Sequence, residues 1–183
     1  MSAQESIGLR ASEVARTDVR ERFAELLQQH RKIVFKVANT FAFSVEDRAD
    51  LAQEIAAQLW RSFPRYDAAR PFATWMYRVA LNVGISSLRS RSAAAPLVAL
   101  GVQHETIPAP EGASLEEAER LRGLERAIAR LGGMNRALLL LYLEERSYAE
   151  IGEILGISET NVGTKLARLR RRMREELGAE EEG

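Results

Sequence analysis

Apolar residues recur every three or four positions along most of this chain, which is the spacing of one face of an α-helix. Strict alternation of apolar and polar residues, the pattern of a half-buried strand, is almost nowhere present. The pattern therefore predicts an all-α protein. Its first helix begins at about Thr17, and one face of that helix carries Phe23, Leu26, Leu27, His30, Val34, Val37, Ala38 and Phe41.

Two further helices are predicted before residue 92. Ser44 offers a hydroxyl to the free backbone amides at the start of the first of them. Pro71 suits the first turn of the second, which we expect to run from Phe72 to about Leu88. The apolar face of the helix after Ser44 consists of Leu51, Ile55, Leu59 and Phe63.

The helical pattern breaks at residues 92–114, which hold three of the five prolines and two glycines. This composition predicts a flexible linker between two small helical domains. The predicted divisions are an N-terminal arm, a first domain, the linker, a second domain and an acidic tail, at residues 1–16, 17–92, 93–114, 115–178 and 179–183.

The second domain is predicted to begin with two helices. Gly132 and Gly133 are expected to end the first, and the second is short and very apolar, at residues 136–144. The inward positions of the first helix are predicted to be Leu121, Leu124, Ile128 and Leu131.

The last two helices have the pattern of a helix-turn-helix, whose second helix enters the major groove of DNA. Ser147 and Glu150 have the form of a capping box, and Gly156 ends the helix that they begin, before a buried Ile157. Ser158 can cap the second helix. The inward positions of that helix are Val162, Leu166, Leu169 and Met173.

The charge of this last helix favours a role in DNA binding. The whole chain carries 26 basic and 26 acidic residues, so no global field attracts it to nucleic acid. Six cations and no acid, however, lie between Lys165 and Arg174, and this local excess can neutralise phosphates. With Val162 directed inward, a step of about 100° per residue turns Thr160, Thr164 and Arg171 outward, with Asn161 and Arg168 beside them.

The first domain carries an acidic face on its second helix. Asp47, Asp50 and Glu54 lie at helical spacing beside Gln53. Paired carboxylates can perform acid-base catalysis or bind a metal, but no nucleophile, histidine or Gly-rich loop accompanies them. A protein-docking face is therefore the favoured interpretation.

The third helix combines aromatic residues with arginines and contains no acid. Phe72, Trp75 and Tyr77 are the aromatic residues. Cations for phosphates and flat rings for unstacked bases are what single-stranded nucleic acid requires of a surface. We expect most of these rings in the core and some to face bases, with Asn82 able to read a base edge.

Composition excludes several other functions. The chain has no Cys and only two His, which removes thiolate catalysis and cysteine zinc sites, so we expect no catalytic residues, no metal and no cofactor. The longest apolar run, residues 137–143, is far shorter than the roughly 20 residues that span a bilayer. With no secretory signal pattern at the start, we expect a cytoplasmic protein.

Two functions besides polymerase docking remain open from these patterns. A one-component transcription regulator would bind a palindrome as a dimer through the helix-turn-helix. A helical interaction module without nucleic-acid function would leave the basic helix as a solvated surface, as many charged helices are.

The three segments, in this order, resemble the extracytoplasmic-function (ECF) sigma factors, the compact bacterial members of the sigma-70 family. The similarity covers about residues 20–91 and 121–177. It implies a factor that binds core RNA polymerase, at the clamp helices of the largest subunit, and directs promoter-specific initiation. It also implies contacts to duplex and melted promoter DNA, and control by a separate anti-sigma factor.

The resemblance assigns residues to three surfaces. The polymerase-docking surface carries a D-L-x-Q-E pattern, formed by Asp50, Leu51, Gln53 and Glu54. The surface that recognises and opens the minus-10 element is assigned Tyr66, Trp75, Arg78 and Asn82. At the minus-35 element, Thr164, Lys165 and Arg168 match positions that commonly face DNA, beside the outward Thr160, Asn161 and Arg171.

Two positions depart from the family pattern. Ser86 stands where many relatives carry an acidic residue. Asn161, Val162 and Gly163 replace the usual Thr, Val and a basic residue, which removes one cation from the start of the reading helix. These departures leave the class intact and the preferred promoter sequence open.

Overall fold

A computed structural model describes the backbone of residues 3–94 and 114–181, and the side chains of residues 17–93 and 114–177 apart from residues 118 and 125. Within these ranges every regular element is helical, so the all-α prediction is confirmed. The predicted linker lies almost wholly outside the described residues. The helices are α1 (Ala3–His30), α2 (Lys32–Phe41), α3 (Val45–Ser62), α4 (Phe72–Ala94), α5 (Leu115–Ala129), α6 (Gly133–Leu143), α7 (Tyr148–Leu155) and α8 (Glu159–Glu181), and a 3-10 turn, Phe63–Arg65, follows α3.

The predicted helix caps are confirmed. The Ser44 hydroxyl accepts the backbone N–H of Asp47 at 3.0 Å, and the Ser158 hydroxyl accepts that of Asn161 at 3.2 Å. At Ser147 both halves of the capping box are made with Glu150. The hydrogen bonds from the Ser147 backbone and side chain lower the pKa of the Glu150 carboxyl.

Several helix boundaries differ from the prediction. α1 begins at Ala3, within the predicted N-terminal arm, rather than at about Thr17, and α4 continues to Ala94 rather than ending at about Leu88. The first predicted helix is divided into α1 and α2 at Arg31, whose backbone angles stay helical (φ −52°, ψ −30°). The apolar face continues across this bend, so periodicity alone cannot reveal it. Gly132 and Gly133 were expected to end α5, but Gly132 is the N-cap of α6 and Gly133 is its first residue.

The core of the first half lies between α2, α3 and α4, which pack against one another. Fully buried side chains from each helix meet there, among them Phe41, Ile55 and Met76. The C-terminal part of α1 covers one end of this core through Phe23, whose ring centroid lies 5.0 Å from that of Phe63.

The core of the second half lies between α6, α7 and α8, with α5 packed on α8. Leu138, Ile151 and Leu166 are fully buried in it. The prediction that Leu121 and Leu124 face inward is wrong, since they are 39% and 37% exposed. α5 instead packs through its smaller residues, since its buried positions are Gly123 and Ala127, and the predicted inward Leu131 is buried two residues beyond its end.

The two halves pack against each other through a contact surface that we call the seam, where α6 lies on α2 and α4, and α7 lies on α4. Arg136 of α6 is buried in the seam, 1% exposed. Its guanidinium donates to the carbonyls of Ala129 and Leu131 at 2.6 and 3.0 Å, and across the seam to the carbonyl of Thr40 at 3.2 Å. Burial lowers the pKa of Arg136 to about 10, so the group stays charged at neutral pH.

Three arginines from three helices converge on the carboxyl end of α2. Besides Arg136 from α6, Arg91 of α4 donates to the Phe41 carbonyl at 2.5 Å, and Arg48 of α3 donates to the Phe43 carbonyl at 3.0 Å. The last carbonyls of a helix lack partners within it and carry the negative end of the helix dipole. Arg136 and Arg91 therefore satisfy the carbonyls of Thr40 and Phe41 at this helix end, and Arg48 adds a third positive charge just beyond it.

Further polar contacts cross the seam. Lys36 of α2 forms an ion pair with Glu144 at the end of α6. The Tyr77 hydroxyl donates to the same carboxylate at 3.4 Å, and the Arg146 guanidinium lies 5.4 Å from the centre of the Tyr77 ring. The pKa of Tyr77 is raised, first by burial and then by the charge of Glu144.

The structure predicts that Gly152→Ala disrupts the helix-turn-helix. A Cβ on Gly152 would lie 2.7 Å from the carbonyl oxygen of Ile157, a backbone atom that cannot move aside. Overpacking of this kind costs about 1–3 kcal/mol, so we expect the free energy of unfolding, measured by urea denaturation, to fall by that amount.

Gly163→Ala is the matched control in the same motif. A Cβ there would meet its nearest neighbour, the Tyr148 ring, at an ordinary 3.5 Å. Because glycine inside a helix is destabilising by about 0.5–1 kcal/mol relative to alanine, this variant should gain stability. Equal stability of the two variants would contradict the packing argument.

Candidate functional site

The last helix presents the face that its sequence predicts. Val162, Leu166 and Leu169 are buried on one side of α8. Most of the residues predicted to face DNA are exposed: Thr160, Asn161, Thr164, Arg168 and Arg171. Lys165 is half-buried.

The turn before this helix fixes its direction relative to α7. Gly156 has φ +70°, a left-handed conformation that favours glycine. The N–H of Ile157 donates to the Gly152 carbonyl at 3.0 Å, which closes the turn. Ile157 is half-buried rather than buried as predicted.

Some cations of α8 are already held by other side chains and are less available to bind a phosphate. Arg170 donates to the Tyr148 hydroxyl at 2.9 Å and lies 5.1 Å from the centre of the Tyr142 ring. Arg172 pairs with Glu176 at 2.7 Å. Sequence reasoning missed the two tyrosine contacts, because no local pattern connects residues on α6, α7 and α8.

Among the described residues, Lys165 and Arg168 form no hydrogen bond or ion pair. Arg171 lies 3.7 Å from Glu175, and both side chains are exposed. Arg174 donates only to the backbone carbonyl of Arg170, at 3.4 Å, so the cations of this helix without an acidic partner in the described part of the chain include Arg174 as well as Lys165 and Arg168. Lys165 and Arg168 can bind a DNA phosphate without first breaking a hydrogen bond or ion pair to another described residue.

A second candidate face lies on α4. Trp75, Arg78 and Asn82 share one side of this helix, because they are three and then four residues apart. Arg78 and Asn82 are exposed and bond to no described residue. A cation, an amide and a ring are thus presented together.

The rings beside this face are held by an aromatic cluster centred on Phe63. The Tyr66 and Trp75 ring centroids are 5.1 Å apart, and both lie within 6.2 Å of that of Phe63. The Tyr66 hydroxyl donates to the Arg70 carbonyl at 2.7 Å. Tyr66 and Trp75 are half-buried, so each ring is fixed on one side and accessible on the other.

The acidic face of α3 is largely available to a partner. Asp50, Gln53 and Glu54 are exposed, and no described residue bonds to them. Leu51, which was also predicted to contact polymerase, is only 3% exposed, so it belongs to the core beneath this face. Asp47 lies 3.8 Å from Arg91 and is less free.

The described residues offer little other chemistry. No group of three or more acidic or histidine side chains among them could hold a metal ion. None of the helices in the described part of the chain is both long and apolar enough to cross a bilayer.

Two family descriptions match this chain. Sigma-70 region 2 matches residues 26–94, and Sigma-70, region 4 matches residues 121–173. The first contains the acidic face of α3 and the aromatic face of α4, and the second contains the helix-turn-helix. Together they cover about two thirds of the chain.

Relatives along most of the chain refine this result. The ECF RNA polymerase sigma factor SigW of Bacillus subtilis is 28% identical over 165 residues, 85% of this chain and 88% of SigW. The RNA polymerase sigma factor CnrH of Cupriavidus metallidurans is 26% identical over 174 residues, 87% of this chain and 88% of CnrH. The chain belongs to the ECF sigma factors of the sigma-70 family. Membership of this family points to a regulatory role.

Solved structures support the fold. CnrH in complex with the cytosolic domain of CnrY has a TM-score of 0.60 at 23% identity, over 87% of this chain and 90% of CnrH. The sigma factor RpoE in complex with the anti-sigma factor NepR from Bartonella quintana has a TM-score of 0.60 at 17% identity, over 88% of this chain and 97% of that sigma factor. Both share two helical domains with this chain.

Proposed function

We propose that this sigma factor docks on core RNA polymerase through the α3 face and directs initiation from promoters that carry minus-10 and minus-35 elements. The observation that supports this most is that three sets of exposed, largely unpartnered polar side chains lie on three separate helices of a sigma-family fold. The docking set consists of Asp50, Gln53 and Glu54.

The α4 face would recognise and open the minus-10 element. Flipping a base out of the duplex costs a few kcal/mol for lost stacking and pairing. Tyr66 and Trp75 can offset that cost by stacking, because their rings are already fixed by the cluster around Phe63. Arg78 would bind a phosphate and Asn82 a base edge, so opening needs no hydrolysis of ATP.

The α8 helix would read the minus-35 element as duplex DNA. Lys165 and Arg168 would supply the salt-dependent phosphate contacts, and Thr160, Asn161 and Thr164 would reach base edges. Two domains on one chain strengthen each other, since binding of the first raises the effective concentration of the second at its site.

We also propose that a separate anti-sigma factor controls the chain in the cytoplasm. CnrH and the Bartonella RpoE, which share this fold, were each solved with a partner, CnrY and NepR. A one-component regulator is not favoured, because such a protein needs no region 2.

The central experiment adds the purified protein to core polymerase and sequences the 5′ ends of transcripts made from genomic DNA. We expect defined start sites preceded by two shared sequence elements. Random starts identical to those of core alone would contradict the proposal, as would a two-fold symmetric footprint made by the protein without polymerase.

The docking face is tested with Glu54→Lys. Reversal of an exposed interface charge should weaken binding to core polymerase by roughly tenfold, because like charges at an interface are costly. The fold should persist, since Glu54 bonds to no described residue. Glu25→Lys, an exposed reversal on α1, is the control in a pull-down titration of core, and equal affinity of the two variants would remove α3 from the interface.

The reading helix is tested with Arg168→Ala. Loss of one phosphate contact should lower the slope of log K against log salt concentration by roughly 0.9 for promoter binding by holoenzyme. Arg172→Ala is the control, because Arg172 is paired with Glu176. The loss should be confined to templates with an intact minus-35 element.

Asn82→Ala should affect recognition of the minus-10 element. We expect it to change discrimination or opening on templates altered in the minus-10 element alone. Transcription from paired templates, each mutated in one element, separates the two variants. Identical profiles for Arg168→Ala and Asn82→Ala would contradict the division of labour.

A further inference from the structure

One guanidinium group on the surface of region 4 joins three helices. Arg170 of α8 donates to the hydroxyl of Tyr148, the first residue of α7, at 2.9 Å. The same guanidinium lies 5.1 Å from the centre of the Tyr142 ring, in the last turn of α6. An arginine that is stacked on a ring and hydrogen-bonded to a second side chain is more restrained than a solvated one. We call the hydrogen-bonded pair of Tyr148 and Arg170 the clamp.

The Tyr148 side chain follows α8 for two turns. A Cβ on Gly163 would lie 3.5 and 3.8 Å from two carbons of the Tyr148 ring, so the ring lies directly beside the backbone of α8 at that point. Gly163 and Arg170 are seven residues, or about 10 Å, apart on the same side of the helix. A single side chain of α7 thus contacts α8 at both ends of this span.

The turn that presents Tyr148 is closed by its own hydrogen bonds. The N–H groups of Glu145 and Arg146 donate to carbonyls in the last turn of α6, at 3.0 and 3.1 Å. Glu145 has φ +56°, the left-handed conformation in which helices commonly end. The capping box at Ser147 then begins α7 directly before Tyr148. The clamp therefore extends from a backbone whose course between α6 and α7 is fixed.

The clamp lies to one side of both the buried and the outward face of α8. With a step of about 100° per residue, Arg170 is about 80° from Val162 and about 120° from Thr164 around the helix. Val162, Leu166 and Leu169 form a buried row that holds α8 against the core. Apolar packing is not directional, whereas a hydrogen bond is. The clamp is therefore placed to fix the rotation of α8 about this row.

A small rotation would matter to the residues that face DNA. The tips of the outward side chains lie about one helix diameter, roughly 10 Å, from the buried row. Rotation by about 6° over that length displaces them by about 1 Å, which exceeds the range of about 2.7–3.2 Å within which N–H···O hydrogen bonds form. Thr160, Asn161 and Thr164 would then lose contact with base edges. A long side chain such as Arg168 could still reach a phosphate.

We propose that Tyr148 and Arg170 are positioning residues that set the rotation of α8 and, with it, the discrimination of bases in the minus-35 element. This inference rests on the proposed function, because it takes α8 to read duplex DNA. Base contacts specify the sequence and need exact placement, whereas phosphate contacts by long cationic side chains tolerate small displacements. The clamp should therefore govern base discrimination and leave the phosphate contacts intact.

The test compares two variants that each replace a tyrosine by phenylalanine. Tyr148→Phe keeps the ring beside Gly163 and removes the hydroxyl that accepts from Arg170. Tyr142→Phe is the matched control, because the ring beside the guanidinium stays and the lost hydroxyl bonds to no described residue. Arg170→Ala removes the other half of the clamp.

The first readout is the affinity of holoenzyme for two promoters that differ in one base pair of the minus-35 element. A mismatched base pair typically weakens binding by about 5- to 150-fold. Tyr148→Phe and Arg170→Ala should reduce the ratio of the two affinities by roughly three- to tenfold, and Tyr142→Phe should preserve it. Equal weakening on both promoters, the result of general damage to the fold, would overturn the proposal, as would an equal loss of discrimination in the control.

The salt dependence of promoter binding separates positioning from direct contact. Tyr148→Phe removes no charge, and Arg170 is turned away from the face that meets DNA, so both variants should keep the slope of log K against log salt concentration. A slope reduced by roughly 0.9 in Arg170→Ala would mean that Arg170 binds a phosphate itself, and its positioning role would be wrong. Should Arg170→Ala fail to fold, Tyr148→Phe decides, because it removes only one hydroxyl.

Residual dipolar couplings of the backbone amides give a readout that needs no polymerase. In the free protein they report the orientation of α8 relative to α6 and α7, including its rotation about its own axis. Tyr148→Phe should change this orientation, and Tyr142→Phe should not. Unchanged couplings in Tyr148→Phe would overturn the clamp. Changed couplings in a protein that directs no initiation would support the clamp and count against the proposed function alone.

Discussion

The carboxyl end of α2 is the point at which the two halves of the molecule are fastened together. Its terminal carbonyls need partners, and guanidinium groups from α4 and α6 supply them, while one from α3 bonds to the chain just beyond the helix. Arg136 matters most, because the same group also donates to two carbonyls at the end of α5. One buried cation thus links the C-terminal ends of two helices from different halves, within the same surface where α6 and α7 pack on α4.

Local features of the fold were predictable because their causes are local. Ser44, Ser147 and Ser158 cap helices through bonds to residues three positions ahead, and Gly156 ends α7 through its own backbone conformation. Such signals can be read directly in the sequence.

The seam was not predictable for the opposite reason. The hydrogen bond from Arg136 to Thr40 joins residues 96 positions apart, and an arginine within an apolar helix gives no sign of its distant partner. The orientation of α5 was missed because two leucines were assigned inward, while Gly123 and Ala127 allow a closer approach to α8.

The candidate site likewise has one feature that the sequence predicts and one that it does not. Which side of α8 faces outward follows from helical geometry once Val162 is placed in the core. Which of its cations are free does not follow, because Tyr142 and Tyr148 hold Arg170 from other helices.

The aromatic cluster gives the molecule an intrinsic optical probe. Both tryptophans of the chain, Trp60 and Trp75, belong to it or adjoin it: Trp60 lies 5.2 Å from Phe23, and Trp75 lies 5.1 Å from Tyr66. Excitation at wavelengths that tyrosine does not absorb therefore yields emission from region 2 alone. Fluorescence of the unlabelled chain can therefore follow the unfolding of region 2, or quenching by stacked bases, because region 4 contains no tryptophan.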